Sequence, residues 1–395
     1  MPNPNPRSAP DLLSGSRGTE NLNSARIVVD MEDEIHFYQP NSTALLTLTG
    51  KIGETRKAHF VKYEFLEKDE LPRDVTASAL VSDIGTTLQF GSGDAARLVQ
   101  GQLLLNLNTR EVVRVETVTS DVNVVVTRGI GGNNQTVSIA DRFVHFSSAK
   151  EDGSVSGTSK SVKEFNDFNF TQIIETPFDF TGRDLVSELY GGSDEMTETK
   201  WQAIEHKKSI EYAFYFGRRH TMSGTSHQVT MTGGLDFFIT TNRTNVGQQA
   251  LNERWWIEYL EYAMRWGKGG KRNGMGKKYA LCSSRWLTEI NSWARDRIRM
   301  KTLDKEIGFE AAEYISPHGT VFLLSSPVLD EFHPDWLFLL DFNHIKKVAL
   351  NKRDTKLLVD VQENDRDGKK NLYRSDVGLQ VNFEHAHGIV TGITS

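Results

Sequence analysis

The sequence predicts an α+β protein. Strand-like segments come first, helical segments occupy the middle, and strands return in the last third; segregated runs of this kind argue against a doubly wound parallel sheet. One helix is long and strongly periodic, at about 195–217. A segment at about 75–148 shows strand and turn signals with no helical pattern.

The elements follow in order. Residues 1 to about 24 are rich in Pro, Asn, Ser and Gly and cannot bury enough apolar area to order themselves, so a neighbouring chain is expected to hold them. Residues 27–52 read as an extended arm, with Ile27-Val28-Val29 and Ala44 to Leu48 as short apolar runs broken by Asp30 to Glu34 and Pro40-Asn41. From Ala58 to Leu71 apolar and charged residues alternate loosely until Pro72 stops the element. Within 75–148, Leu103 to Leu107 and Glu111 to Glu116 flank the turn Asn108-Thr109. Val122 to Thr127 adds a β-branched strand after Ser120-Asp121, and Arg128-Gly129-Ile130-Gly131-Gly132 ends it. A small sandwich or barrel fits this unit.

Residues 149–162 are linker-like, and Phe165 to Phe180 reads as one or two long strands. Asp194, Glu195 and Glu198 place acid at the start of the long helix, and Gly217 stops it beside Arg218-Arg219. About 22 residues at 1.5 Å each make a rod of roughly 33 Å. Helices are also predicted from about Asn252 to Trp266 and from Ser284 to Arg297, with Lys278 to Cys282 as a strand between them. Strands are expected at Thr320–Ser325, Trp336–Leu340, Lys356–Val361, Leu379–Phe383 and Gly388–Ile393, with Asp365-Arg366-Asp367-Gly368 turning a hairpin.

Composition narrows function. With 46 basic and 52 acidic residues the formal net charge is −6, which gives no reason to expect a nucleic-acid reader. No apolar run approaches the roughly 18 residues that cross a bilayer, so no membrane partner is expected. The opening residues lack a signal-peptide core, and the chain reads as a cytosolic product, unprocessed at least at Met1. Its single cysteine, Cys282, excludes an internal disulfide and a thiolate metal cluster and reads as a small buried hydrophobe.

Chemistry-bearing patterns are weak. In the glycine-rich stretch from Gly267 to Lys278, Lys271 precedes Arg272 rather than Ser or Thr, and the stretch follows a helix, so a P-loop is rejected. A basic loop is read instead, with Lys268, Lys271, Arg272, Lys277 and Lys278 as candidates for loose DNA or loop contact. Glu363, Asp365 and Asp367 lack the closing glutamate of a calcium loop, since Arg374 stands there. His385 and His387 have no third ligand nearby, and HExxH and GxSxG are absent. Catalytic residues, cofactors and metals are therefore all read as none. Aromatic content (7 Trp, 10 Tyr, 21 Phe) says more. Trp255 and Trp256 point about 100° apart on one helix. Either one packs inward while the other meets a partner, or both fill a wide core against two elements.

The succession of motifs then resembles a known family. A long helix ending Tyr215-Phe216-Gly217-Arg218-Arg219 leads to Met231-Thr232-Gly233-Gly234-Leu235-Asp236-Phe237-Phe238-Ile239. Asn169-Phe170-Thr171-Gln172-Ile173 precedes it, and the chain closes with Leu379-Gln380-Val381-Asn382-Phe383-Glu384-His385-Ala386-His387-Gly388-Ile389-Val390-Thr391-Gly392-Ile393. This resembles the major capsid proteins of tailed bacteriophages with the Hong Kong 97 fold, over roughly residues 40–75 and 150–395. The resemblance implies an N-terminal arm (1–52) and an extended loop (53–175) carrying a β insertion at about 75–148. A peripheral domain would comprise 176–231 and 331–395 with the helix near 195–217 as its spine, and an axial domain 232–330.

The resemblance also implies a virion capsid built in the host cytoplasm from pentamers and hexamers, where head-to-tail contacts close into rings. The expected partners are further copies of the chain, a portal protein, a separate scaffold protein (or none), a decoration protein, and packaged double-stranded DNA met without sequence reading. Trp255, Trp256, Arg218 and Arg219 would be intersubunit contacts. Isopeptide cross-links have candidate lysines (Lys51, Lys57, Lys62, Lys68) but no pattern selecting one, so uncrosslinked packing is expected. The other reading is a tail or decoration protein with the β unit as its binding module.

Overall fold

The computed structural model describes residues 43–68, 71–154, 158–187, 194–247, 251–265, 276–293, 298–303 and 309–393. The chain first forms α1 (Ala44–Lys51), β1 (Glu54–Ala58) and β2 (Lys62–Glu67). Then come β3 (Asp74–Thr76), β4 (Thr87–Gln89), β5 (Gln102–Asn106), β6 (Val112–Val118), β7 (Asn123–Ile130) and β8 (Arg142–Ser148). The middle holds β9 (Phe165–Phe170), β10 (Gln172–Thr181), α2 (Gly182–Val186), α3 (Asp194–Phe216), β11 (His220–Ser223), β12 (Gln228–Met231) and α4 (Leu235–Phe238). It continues through β13 (Arg243–Asn245), α5 (Glu253–Ala263), β14 (Gly276–Cys282), α6 (Ser284–Trp293), β15 (Ile298–Leu303), β16 (Phe309–Ser316) and β17 (Gly319–Ser325). Last are α7 (Pro327–Phe332), β18 (Leu337–Leu340), β19 (Ile345–Leu350), β20 (Lys356–Leu358), β21 (Gly368–Val381) and β22 (Gly388–Thr391).

Among the described residues two compact units result, one of residues 43–63 and 169–393 and one of residues 64–168. In the larger unit, β21 is the spine of a five-stranded sheet. It pairs antiparallel with β10 along one edge and with β20 and β19 along the other, and β19 takes β1 in parallel. The second sheet runs β13-β22-β18-β14-β17-β16-β15. Its central strands are buried on both faces, which is why they read as continuous apolar runs. Leu281, Phe322, Leu324, Phe338 and Leu340 enter the core that holds α1, α3 and the five-stranded sheet. Alternate residues Ala280, Cys282, Val321, Leu323, Leu337 and Leu339 face the core of α5 and α6.

The smaller unit contains a six-stranded antiparallel sheet, β3-β8-β5-β6-β7-β4, and the Ala77–Phe90 bridge joins its two ends into a closed barrel. Leu88, Phe90, Leu104, Val113, Val115, Val124, Val126 and Phe143 fill it. Phe90 and Phe143 meet edge to face at 5.6 Å between centroids.

One sequence expectation needs correction. Residues 44–51 are a helix rather than an extended arm, because Ala44, Leu45 and Leu48 lie at helical spacing on one face and are fully buried. Residues 54–58 and 172–175, at the two ends of the expected extended loop, are paired in the five-stranded sheet, and the smaller unit of 64–168 contains the segment 75–148. Residues 1–42 of the expected arm lie outside the described residues.

Candidate interaction surface

The long helix α3 stops where it does because the next turn has no room for a side chain. A Cβ on Gly217 would come 2.4 Å from the Ala213 carbonyl oxygen and 2.5 Å from that of Thr232. Arg218 and Arg219 therefore leave the helix together. Arg218 Nη2 donates to Asp236 Oδ2 at 2.6 Å, and Arg243 Nη2 donates to the other oxygen of the same carboxylate at 2.6 Å. Asp236 is nearly buried, whereas the Arg218 side chain is 62 % exposed. Arg219 lies over the Phe237 ring at 4.9 Å and Arg243 over Trp336 at 5.8 Å. One carboxylate thus organises two guanidinium groups from different elements. Beside it, Phe216, His333 and Trp336 form a half-buried ring cluster, and Tyr212 meets the exposed Phe332 edge to face at 5.3 Å. Arginine with such rings suits a protein contact.

The tryptophans part company. Trp256 is fully buried and stacks on Tyr259 at 5.9 Å. Trp255 is half-buried and stacks on the same ring at 5.4 Å, nearly parallel at 4°. Both belong to the α5–α6 core rather than to the arginine cluster. Of the basic-loop candidates, Lys268, Lys271 and Arg272 lie outside the described residues. Lys277 is exposed. Lys278 is not a surface residue, which corrects its assignment to DNA or loop contact. Strand alternation turns it inward, where Nζ donates to the carbonyls of Ala263 at 2.6 Å and Ala386 at 2.7 Å. Burial lowers its pKa to about 8, with nearby Asp341 opposing.

The hub beneath the surface joins residues from three of the motifs quoted above, a contact that only folding reveals. Asn169 Nδ2 donates to Thr232 Oγ1 (3.1 Å), the Gly233 carbonyl (3.0 Å) and the Leu379 carbonyl (2.7 Å), while its Oδ1 accepts from the Gly233 N–H at 2.8 Å. A second hidden site is Glu211 of α3. Fully buried, it accepts the N–H groups of Leu45 and Leu46 at 3.4 Å each, the first-turn donors of α1 whose own Thr43 makes no side-chain cap. Burial pushes its carboxyl up to about 8 against those two hydrogen bonds. Its only signal in the sequence is one acid on the apolar side of α3.

Among the described residues no group of three or more His, Cys, Asp or Glu could hold a metal, and no helix is long and apolar enough to cross a membrane. His387 is buried with Nδ1 accepting the Asp341 N–H at 3.2 Å, and burial drives its pKa down to about 3. Cys282 is buried and its thiol is pushed far up by burial, so it is not a nucleophile at neutral pH.

The geometry can be set beside known proteins. A family model described as SU10 major capsid protein matches residues 15–394. A major capsid protein of Pseudomonas phage PaMx41 is 26% identical over 199 residues, which is 50% of this chain and 47% of that one, so the match spans about half the length of the curated relative. Among solved structures, the capsid asymmetric unit of cyanophage A-1(L) superposes with a TM-score of 0.54 at 10% identity, covering 96% of this chain and 99% of that one. A chain from Mycobacterium phage Bobi gives 0.50 at 10% identity, over 96% and 100%. These structural likenesses concern the fold, which is of the Hong Kong 97 type.

Proposed function

The chain belongs to the SU10 major capsid protein family, and from that premise we propose that it is the repeating subunit of a phage head, forming pentamers and hexamers around packaged double-stranded DNA. The observation that carries this reading is a family match over residues 15–394 on a chain whose fold superposes on a capsid subunit nearly end to end. In it, 176–231 and 331–395 form the peripheral domain, and 232–330 the axial domain. The role is structural. The arginine–aromatic surface at the end of α3 is the intersubunit contact, with Trp255 as a second point of contact. The shell assembles in the host cytoplasm with a portal and a scaffold protein, and meets DNA through salt-sensitive phosphate contact only.

Many modest contacts acting together hold such a shell by multivalency. The full chain, purified and concentrated, is therefore expected to sediment as megadalton particles that appear as closed shells by negative-stain microscopy. A monomer or small oligomer under every assembly condition contradicts the reading.

A further inference from the structure

We propose that the loop end of the β-barrel in the smaller unit is a contact surface for a second copy of this chain; this rests on the shell reading above. Strand direction places the surface. β3, β5 and β7 run one way and β4, β6 and β8 the other. Three connections therefore lie at one end of the barrel: β3 to β4 (77–86), β5 to β6 (107–111) and β7 to β8 (131–141). The chain enters and leaves at the opposite end, before β3 and after β8.

That end is held rigidly. Arg128, paired with the fully buried Glu111 at 2.6 Å, donates to the carbonyls of Ser82, Gly85 (3.2 Å) and Gln135, and so ties two of the loops together. Asp141 accepts from Asn106 Nδ2 at 2.9 Å and Asn108 Nδ2 at 2.6 Å, which fixes the third loop. Val81 and Val137 form a further bridge. Two non-glycine residues there, Arg110 (φ 62°) and Ala140 (φ 70°), sit in the left-handed region, a conformation kept where the surroundings over-determine it.

On this rigid frame stand five apolar side chains facing solvent: Leu80 (67 % exposed), Ile84 (82 %), Leu107, Ile130 and Ile139 (65 %). Such concentration on a preorganised loop end marks a binding surface. Its chemistry selects the occupant. The surface is aliphatic and amide-rich, with Asn133, Asn134 and Gln135 between the apolar residues and no aromatic ring among 77–86, 107–111 and 131–141. It has no stacking platform for sugar or base, and its exposed Asp83 and Arg110 cancel in charge, so identical copies meet without repulsion. At roughly 100 Å² per aliphatic side chain the patch offers about 500 Å² at most. That matches the apolar share, a little over half, of the ~800 Å² that each partner contributes to a standard contact, and the amide side chains between supply the polar remainder. A shell of identical chains repeats such a contact by symmetry.

The test places a photo-reactive amino acid at Ile84 of the full chain and irradiates particles produced with and without the other virion proteins. Chain–chain dimers from both preparations, absent from dissociated chains, are the expected result. Intact particles that yield only monomer, or linkage to a protein of different mass, overturn the inference and leave the shell reading standing. Failure of the unsubstituted chain to form any particle overturns both. Ile84→Asp and Ile139→Asp, each on an exposed loop, are expected to fold normally and to lower particle yield about tenfold or more; unchanged yield in both counts against the contact.

Discussion

Glu211 shows how a single side chain can join elements far apart in sequence. Its carboxyl group serves as the N-terminal cap of α1 from 166 residues away, and burial lifts it from an ordinary 4.5 to about 8. A carboxyl raised in the folded state binds its proton more tightly there than in the unfolded chain. Its contribution to stability is therefore complete below about pH 4.5 and is lost as the pH rises through about 8. Buried His387 acts in the opposite sense: its pKa is driven down to about 3, so it adds stability as the pH rises towards the ordinary 6.5. The phenols of Tyr212 and Tyr215, also raised, titrate above both windows. Thermal melts of the wild type are therefore expected to fall between pH 6.5 and 8 by about 2 kcal/mol, and Glu211→Gln to flatten that slope. Parallel slopes for the two proteins would exclude Glu211 as the source.

At the scale of elements, the barrel and the α3 surface follow one device, a buried carboxylate organising arginine. Asp236 holds two guanidinium groups at the end of α3, and Glu111 holds Arg128 inside the barrel wall. The second pair is dry, with side chains 4 % and 0 % exposed. Removing the cation leaves a buried acid alone, at a cost of about 3–5 kcal/mol. Arg128→Ala in the full chain should accelerate hydrogen exchange across β4 to β7 while leaving β17 and β21 protected. Uniform loss of protection in both units, or none in the barrel, would show that the pair does not act locally.

The sequence made some elements plain and hid others for physical reasons. Helix α3 was readable because Trp201, Ile204, Ile210 and Phe214 keep its period and Gly217 ends it. The β5–β6 hairpin announced itself through Leu103 to Leu107 and the turn at Asn108. Helix α1 was missed because eight residues cannot hold a helix alone and the carboxylate capping it lies in α3. Strand β19 was missed because Lys346 and Lys347 interrupt its apolar pattern, though each finds an acid, Glu54 and Asp354. Its parallel partner β1 lies about 290 residues earlier, beyond any local signal. For the candidate surface, Arg218 and Arg219 stood out by adjacency, whereas Arg243 and Asp236 join them only through folding. Lys278 could have been placed: in a strand where Tyr279 to Cys282 is apolar, alternation opposes it to exposed Lys277.

At the scale of the whole molecule, the described residues spread their apolar surface over three cores and keep a barrel on an excursion of about a hundred residues. Such a layout suits a subunit completed by its neighbours. The most direct measurement is a cryo-electron reconstruction of particles assembled from this chain. An icosahedral shell is expected in which the same fold repeats in pentamers and hexamers, with the α3 arginine–aromatic surface at a boundary between copies. A map placing the chain in a tail, or as a decoration on a shell built from another protein, would contradict it.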